Sequence, residues 1–442
     1  MQRSPPMLDI PNCDFTIQNF SPARFPSPLL PPFTGDDDQN RIIFDISAIA
    51  WKKALQNEYS PIFIELAGPR EKLFFDPRSC RAAIVTCGGL CPGINVVIRA
   101  IVMNLWHTYG CQDILGIQWG FEGLVEASKH EPLRLIPESI DKIHECGGSI
   151  LGSSLGAQEP SAMVDFIEAN GIDILFTIGG DGTLHAAHAI AEEIQRRGLK
   201  RSVIGVPKTI DNDISFVAKS FGFETAFSVA NTALSSAHIE AKAARNGIGL
   251  VKLMGRHSGF IAANATLANR DANYCLIPEV DFDLEGENGL LMALRKRITK
   301  RGHAVIVVAE GAGQKFFEDD GATDKSGNKK LGDIGLFLKA KIEAYFKEVG
   351  TEINVKYIDP SYIIRSVPAI PNDSVFCSFL GQMAVHAGMA GKTDMLVGLW
   401  NNMFTHIPIS PAISTRKTIN HKQKLWMSVL ETTGQGELKN PS

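Results

Sequence analysis

Short runs of apolar residues alternate with helical patterns along most of the chain from Arg81 onward. The runs end in glycine or polar residues, which is typical of strands buried on both faces of a sheet. Between them, apolar residues recur every three to four positions, as in 96–105 and 184–197, and predict helices. The pattern therefore predicts an α/β fold with parallel sheets covered on both faces. The predicted strands are 82–86, 113–117, 173–178, 202–206, 248–253, 274–278 and 303–309.

The first 78 residues have a different texture and are predicted to form an N-terminal extension. Residues 1–40 contain many prolines and an acidic run at 36–38, without a sustained hydrophobic period. Such a segment is expected to wrap over a surface or to remain mobile. Residues 41–78 have mixed patterns that suggest a strand pair.

Composition narrows the class of protein. A chain of 442 residues predicts two or three domains, and 44% hydrophobic residues suffice for large cores. The net charge of −4 gives no basic field for nucleic acid or anionic lipid, so neither partner is expected. Eight scattered cysteines, without a signal peptide or an apolar run of membrane length, predict a protein of the reducing cytoplasm.

Three glycine-rich loops are predicted to follow strands, at 88–93, 147–154 and 179–183. Glycine lets backbone N–H groups approach a phosphate, and a helix after the loop directs its positive end at the anion. A glycine turn with a purely steric role is the alternative for any single loop, but three in one chain favour phosphate binding. None has the Gly-Lys-Ser/Thr ending of a Walker loop.

Asp181 lies between two glycines of the third loop. A carboxylate among phosphate-binding amides would repel the ligand unless a cation lies between them. Mg²⁺ held by one or two carboxylates and by nucleotide phosphates meets that requirement. The alternative is an Asp that stabilises its own turn through a side-chain hydrogen bond.

The segment 207–213 follows another predicted strand and carries two carboxylates, Asp211 and Asp213. In extended backbone their side chains would share one face. Phosphoryl transfer to an alcohol needs a base and a cationic counterweight. Either carboxylate could be the base, with Lys208 or a distant arginine as the cation, although Asp-Asn-Asp also occurs in plain turns and calcium loops.

Two further groups of residues could meet an anion. Arg256 ends a predicted strand, where its charge would face a ligand, although a surface salt bridge explains an isolated arginine equally well. Lys356, Tyr362 and Arg365 are close in sequence and could grip a phosphate, but an amphipathic edge has the same pattern.

Together these motifs resemble those of 6-phosphofructokinases, and their exact sequences are similar to those of the branch shared by plants, trypanosomes and some bacteria. The resemblance covers about residues 80 to 430. It implies two similar three-layer α/β lobes, magnesium, and a homo-oligomer, either a dimer or a tetramer. The predicted lobes are 79–222 with 363–412 for the nucleotide, and 223–362 with 413–442 for the sugar phosphate.

The resemblance also implies a role for each matching position in phosphorylating fructose 6-phosphate with ATP. Asp211 would take the proton from the sugar hydroxyl, Asp213 would support it, and Arg256 would steady the transition state. The positions matching the nucleotide site are Gly88, Gly89, Ser154, Leu155, Gly180, Asp181, Gly182, Thr183 and Lys208, with Asp181 on Mg²⁺. Those matching the sugar-phosphate site are Thr209, Ile210, Asp211, Met254, Gly255, Arg256, Glu310, Lys356, Tyr362, Ile363, Ile364 and Arg365.

Two positions bear on the phosphoryl donor. Pyrophosphate-dependent relatives typically have Asp where this chain has Gly182, and a glycine leaves room for the nucleotide. Lys208 occurs in pyrophosphate enzymes, but ATP enzymes of this branch combine it with glycine, so ATP is the predicted donor and pyrophosphate the alternative.

Leu155 replaces an arginine that contacts donor phosphates in the family, which leaves a weakly active or regulatory subunit as a further alternative.

Overall fold

The computed structural model describes residues 13–35, 40–56, 61–125, 130–154, 156, 158–318, 321–323 and 329–441. The chain divides into two compact units. Unit 1 comprises Met1–Lys208, Ile214–Ser220 and Ser374–Thr415, and unit 2 comprises Thr209–Asp213, Phe221–Asp373 and Arg416–Ser442. Each unit is therefore built from segments that are far apart in the sequence.

Unit 1 contains a nine-stranded mixed sheet with the order β3-β4-β17-β16-β10-β9-β6-β7-β8. The strands of unit 1 are β1 (Gln18–Asn19), β2 (Phe25–Pro26), β3 (Arg41–Ile43), β4 (Phe63–Leu66), β5 (Lys72–Leu73), β6 (Arg81–Thr86), β7 (Asp113–Ile117), β8 (Leu133–Arg134), β9 (Ile174–Gly179), β10 (Ser202–Pro207), β15 (Lys392–Thr393), β16 (Met395–Trp400) and β17 (Met403–Pro408). The five central strands, β16 to β7, run parallel, and the outer pairs β16–β17, β17–β4, β4–β3 and β7–β8 are antiparallel. β6, β9 and β10 are almost wholly buried, which explains their continuous apolar sequence.

Helices cover both faces of this sheet. The helices of unit 1 are α1 (Ala48–Leu55), α2 (Ile94–Met103), α3 (Pro160–Ala169), α4 (Asp181–Arg196), α10 (Pro371–Met389) and α11 (Ile409–Ser414), of which α1 is largely exposed. α3, α4 and α11 share one core with alternate residues of the central strands. On the other face, α10 approaches β9 so closely at Gly388 that an added Cβ would lie 2.8 Å from Ile174. α10 also packs on α2 through Gly381, so unit 1 has three layers.

Unit 2 contains a four-stranded, all-parallel sheet with the order β12-β13-β11-β14. Its elements are α5 (Phe223–Ala243), β11 (Gly247–Leu253), α6 (Phe260–Asn269), β12 (Tyr274–Leu276), α7 (Leu290–Arg301), β13 (His303–Ala309), α8 (Ile334–Glu348), β14 (Asn354–Ile358), α9 (Ile363–Ser366) and α12 (Lys424–Thr433). α7 and α8 form a core with one face of the sheet. On the opposite face, Gly247 and Gly249 leave no room for a Cβ because α5 lies directly on β11.

The seven predicted strands are all present, with bounds that shift by one or two residues at either end. The expectation of a parallel α/β architecture is confirmed for the central part of unit 1 and for unit 2, whereas the edges of the larger sheet are antiparallel. The predicted strand pair in 41–78 is β3 with β4, which extend this sheet. The division into a nucleotide lobe and a sugar-phosphate lobe remains a prediction.

A buried ion cluster lies in unit 1 where β4 meets β17. Glu65 accepts hydrogen bonds from Arg70 at 2.7 Å and from the ring Nδ1 of His406 at 2.8 Å. The ammonium group of Lys392 lies 3.0 Å from the same carboxylate. All four side chains are at most 10% exposed, so the extension is attached to the sheet by a desolvated charge network.

The eight cysteines are free thiols, and all but Cys13 and Cys146 are buried. In the described part of the chain, no helix is both long and apolar enough to cross a membrane.

Candidate functional site

Two of the glycine-rich loops leave the unit 1 sheet side by side. The first follows β6 and the third follows β9, and these strands are parallel neighbours. The N–H of Cys87 donates to the carbonyl of Ile178 at 3.0 Å, which joins the two strand ends. Gly88 has a φ of 83°, a left-handed conformation that glycine adopts without strain. The helix α2 begins just after the first loop, whereas α4 begins within the third loop at Asp181, three residues before the predicted start at 184.

The second loop does not follow a strand, and that expectation was wrong. It follows a short 3₁₀ turn, Ile143–Glu145, so its glycine pattern was mistaken for a strand end. The loop nevertheless reaches the first one, because the hydroxyl of Ser153 donates to the carbonyl of Gly88 at 2.5 Å. The N–H of Gly88 donates in turn to the carbonyl of Ser154 at 3.2 Å. Leu155, which follows directly, lies outside the described residues.

The third loop is packed so tightly that two of its glycines have steric reasons to be glycine. A Cβ on Gly179 would lie 2.1 Å from the hydroxyl of Thr183, and one on Gly180 would lie 3.3 Å from the carbonyl of Lys208. Gly182 differs, because a Cβ there would meet nothing within 4 Å. Its small size is therefore not explained by packing.

Lys208 connects the first and third loops. Its backbone N–H donates to the carbonyl of Gly179 at 2.9 Å, and its ammonium group donates to the carbonyl of Gly89. The residue is only 5% exposed. A buried cation is thus placed among the glycine loops.

Asp181 is the first residue of α4, and about a quarter of its side chain is exposed. The ring of His185, one turn later, lies 3.8 Å from its carboxylate. Within the described ranges, no group of three or more His, Cys, Asp and Glu side chains could hold a metal ion alone. A metal at Asp181 would therefore require further oxygen ligands, such as donor phosphates.

The two carboxylates predicted in 207–213 lie in unit 2, on a turn and not on an extended segment. Asn212 has a φ of 54°, so Asp211 and Asp213 do not share a strand face as expected. The hydroxyl of Thr209 donates to Asp213 at 3.1 Å and accepts from the N–H of Asp211 at 3.1 Å. The two carboxylates therefore have different surroundings, because Asp213 accepts a hydrogen bond within the turn.

The Asp211 carboxyl is desolvated and lies among other charged side chains. Its Oδ1 is buried and has no hydrogen-bond partner among the described residues. Burial raises the pKa of Asp211 well above its usual value, and the nearby negative charges of Asp213 and Glu310 raise it further. The cations Arg256 and Arg416 act in the opposite direction. Desolvation with a specific set of charge partners is typical of a functional carboxylate.

Arg256 and Glu310 follow β11 and β13, which are parallel neighbours, so they emerge at the same edge of the unit 2 sheet. A Cβ on Gly311 would lie 1.9 Å from the carbonyl of Arg256, so the two loops are in direct contact. Burial raises the pKa of Glu310, while Arg256 and Lys252 lower it. The hydroxyl of Ser258, in the first of these loops, donates to the backbone carbonyl of Asp211 at 3.0 Å. The structure thus unites Asp211, Arg256 and Glu310.

The predicted phosphate grip is less compact. Lys356 lies in the middle of β14, and its ammonium group is 3.9 Å from Glu240 of α5. Tyr362 is 75% exposed, with the Arg365 guanidinium 4.9 Å from the centre of its ring. Ile363 and Arg365 belong to the short helix α9.

The remaining predicted positions also lie in unit 2 and carry no charge. Met254 and Gly255 follow β11 directly, and Gly255 has a φ of 131°. Ile210 and Ile364 are buried apolar side chains.

Sequence reasoning missed several residues near the Asp211 turn. Arg416 acts on the Asp211 carboxyl, and Lys417 donates its ammonium protons to the side-chain oxygen of Asn212 at 3.0 Å. Lys252 makes ion pairs with Asp333 and Asp359 at 3.1 and 2.8 Å. Lys252 at the end of β11 could have been proposed as a cation at a strand end, whereas 416–417 carry no such signal.

The chain is similar to proteins of known type. Residues 81–388 match the family described as Phosphofructokinase. The chain is 48% identical over 437 residues to the ATP-dependent 6-phosphofructokinase of Borreliella burgdorferi, covering 96% of this chain and 97% of that protein. It is 45% identical over 438 residues to the ATP-dependent 6-phosphofructokinase of Amycolatopsis methanolica, covering 96% and 95%. The crystal structure of a pyrophosphate-dependent phosphofructokinase from Marinobacter aquaeolei has a TM-score of 0.67 at 19% identity, covering 81% and 92%, which is a likeness of fold.

Proposed function

The chain belongs to the phosphofructokinase family, and we propose that it is an ATP-dependent 6-phosphofructokinase of glycolysis. It transfers the γ-phosphoryl group of ATP to the 1-hydroxyl of fructose 6-phosphate and forms fructose 1,6-bisphosphate. The observation that carries the proposal is Asp211, a desolvated carboxylate that has one buried oxygen without a hydrogen-bond partner among the described residues and is influenced by the charges of Arg256 and Glu310. Near-full-length similarity to two ATP-dependent relatives supports ATP as the donor.

We propose that the three loops of unit 1 bind ATP through backbone N–H groups. Support comes from their junction at the ends of β6 and β9 and from the start of α4, whose positive end favours phosphate. Lys208 supplies the balancing cation. The proposed nucleotide positions are Gly88, Gly89, Ser154, Gly180, Asp181, Gly182, Thr183 and Lys208, together with Leu155.

Asp181 is the proposed ligand of Mg²⁺. Its partly exposed carboxylate suits an ion that keeps waters and takes its other ligands from donor phosphates. The bound ion supplies charge neutralisation for the phosphates as the phosphoryl group leaves. Asp181 would hold the ion, and the N–H groups that begin α4 would face the donor phosphates.

On the acceptor side, Asp211 accepts the proton of the sugar hydroxyl while the oxygen of that hydroxyl attacks the γ-phosphorus of ATP. Arg256 stabilises the charge that develops on the transferring group. Thr209 and Asp213 keep the turn in shape through their mutual hydrogen bond. The further proposed sugar-phosphate positions are Ile210, Met254, Gly255, Glu310, Lys356, Tyr362, Ile363, Ile364 and Arg365.

We also propose a homo-oligomer, either a dimer or a tetramer, that acts in the cytoplasm. The resemblance to the family supports the assembly, and eight free thiols fit a reducing compartment. Light scattering of the purified chain at several concentrations measures the assembly directly.

The reaction is tested by incubating the purified chain with fructose 6-phosphate, Mg²⁺ and either ATP or pyrophosphate. We expect fructose 1,6-bisphosphate to form with ATP and not with pyrophosphate. Turnover with pyrophosphate alone would keep the acceptor chemistry and overturn the donor assignment. Inactivity with both donors would overturn the proposed function and leave a regulatory subunit.

Gly182 offers a sharper test of the donor. Gly182→Asp should lower kcat/KM for ATP by at least about tenfold, because a second carboxylate beside Asp181 repels the donor phosphates. The variant should fold, since the position has open space and is not left-handed. Steady-state kinetics with varied ATP measures the effect.

Gly182→Asn is the matched control, because it has the same shape without the charge. It should retain most of the activity with ATP. Equal losses in the two variants would mean that bulk and not charge matters at this position, against the proposed donor geometry.

A further inference from the structure

Lys417 lies seven residues before the start of α12 and contacts the Asp211 turn at two points. Its ammonium group donates to Oδ1 of Asn212 at 3.0 Å. Its backbone N–H donates to the carbonyl of Asp213 at 2.9 Å. The side chain is half-buried, with the ring of Phe260 centred 5.3 Å from Nζ.

The turn requires support from outside its own residues. Asn212 has a φ of 54°, a sparsely populated conformation that persists where the surroundings hold it. Ser258 holds the carbonyl of Asp211 from the loop after β11. Lys417 holds the next two residues, through the side-chain oxygen of Asn212 and the backbone carbonyl of Asp213. The turn is thus held on both sides of the Asn212 backbone, at the carbonyls of Asp211 and Asp213.

The charge of Lys417 also matters to the turn. Burial lowers the pKa of Lys417 to about 7, and the negative charge of Asp213 opposes that shift. The carboxylates in this region are Asp211, Asp213 and Glu310, and the cations acting on Asp211 are Arg256 and Arg416. Lys417 therefore adds a cation to a site that is rich in buried carboxylates.

We propose that Lys417 is a positioning residue for the phosphoryl transfer: by holding Asn212 and Asp213 it fixes the direction of the Asp211 carboxylate. The inference rests on the proposed function of Asp211. Lys417 acts through the turn, since it bonds the Asn212 side chain and the Asp213 carbonyl.

The test compares Lys417→Met with Lys417→Arg in the full chain. Methionine keeps much of the length and apolar stem but neither the charge nor the donor, so kcat should fall by about ten- to a hundredfold through misplacement of the base. KM for ATP and fructose 6-phosphate should change little. Arginine keeps a charged donor and should recover most of the lost kcat.

Lys422→Met is the matched control, because Lys422 is an exposed lysine five positions later. Its kinetics should equal those of the unmodified chain. Melting curves of all variants show whether a lower kcat comes from unfolding. A kcat for Lys417→Met within about twofold of the unmodified chain would overturn the proposal.

The pH profile separates positioning from general loosening of the structure. The base must be deprotonated, so kcat falls at acid pH, where Lys417 is charged. Removing that cation leaves Asp213 and Glu310 less compensated, raises the pKa of Asp211, and should move the acid limb to higher pH. A lower but unshifted profile, without rescue by arginine, would assign Lys417 a structural role only.

Asp211→Asn, measured in parallel, keeps the two hypotheses distinct. If the unmodified chain is active and Asp211→Asn is not, the proposed function stands and Lys417→Met alone decides the inference. If Asp211→Asn remains active, the proposed base is wrong, and the role of Lys417 falls with it.

Discussion

Replacing Asp211 by asparagine should lower kcat by about 10²–10⁴-fold, the range typical of losing a positioned general base. KM for fructose 6-phosphate should change little, because proton transfer belongs to the transition state. Asparagine has the shape of the aspartate but carries no charge and cannot take a proton. Coupled measurement of ADP and fructose 1,6-bisphosphate formation gives both constants.

Stability separates this loss from misfolding. The pKa of Asp211 is raised by burial and by the negative charges of Asp213 and Glu310. The charged form of Asp211 therefore lowers the stability of the folded state at neutral pH. A neutral amide removes this cost, and the melting temperature of Asp211→Asn should therefore stay the same or rise. Lower activity in a more stable protein is the mark of a functional carboxylate.

Asp213→Asn is the companion variant, since spacing alone could not separate the two carboxylates. Asp213 accepts a hydrogen bond from Thr209 inside the turn, so its loss should be smaller than that at Asp211. The reverse order would make Asp213 the base and Asp211 the supporting residue.

The second large effect concerns folding. Glu65→Gln should destabilise the protein by about 3–5 kcal/mol, because it leaves Arg70 and Lys392 buried without their counter-charge. Urea unfolding followed by tryptophan fluorescence measures the change. Glu71→Gln is the control, since Glu71 is exposed and nearby, and its unfolding midpoint should be unchanged. If Glu65→Gln unfolded at the same urea concentration as the unmodified chain, the network would not contribute to the stability of the fold.

The same network predicts a pH dependence. Burial alone would raise the pKa of Glu65, but the His406 hydrogen bond and the charges of Lys392 and Arg70 outweigh it and hold the pKa well below its usual value. A carboxyl with a lowered pKa stabilises the fold above its unfolded pKa and loses that contribution as pH falls through its folded one. The stability difference between the unmodified chain and Glu65→Gln should therefore shrink in strong acid.

The sequence predicted the central strands well because burial on both faces leaves a continuous apolar signature, as in β6 and β9. The β16–β17 hairpin was missed, although Asn401 and Asn402 at its tip have φ values of 46° and 64°. Paired asparagines favour this kind of hairpin turn and were the available signal.

The site was predictable where chemistry sits at strand ends and unpredictable where it depends on distant contacts. The first and third glycine loops, Arg256 and Glu310 follow strands, so their sequence position indicated their place. The second loop follows a 3₁₀ turn, and its place was not indicated in this way. The left-handed turn at Asn212 was not predictable, because Asp-Asn-Asp fits a turn and a strand alike. Nothing in the sequence links Lys417 to Asn212, since 205 residues separate them.

In the nine-stranded sheet, β3 and β4 join the parallel strands only through β17. The ribosome completes Leu66 337 residues before it begins β17 at Met403. At about 5–20 residues per second, roughly 20 to 70 seconds pass between these two events. Until β16 is synthesised, β10 has an unpaired edge at which other chains can add a strand. Nascent chains should therefore remain chaperone clients until residues 395–408 have left the exit tunnel.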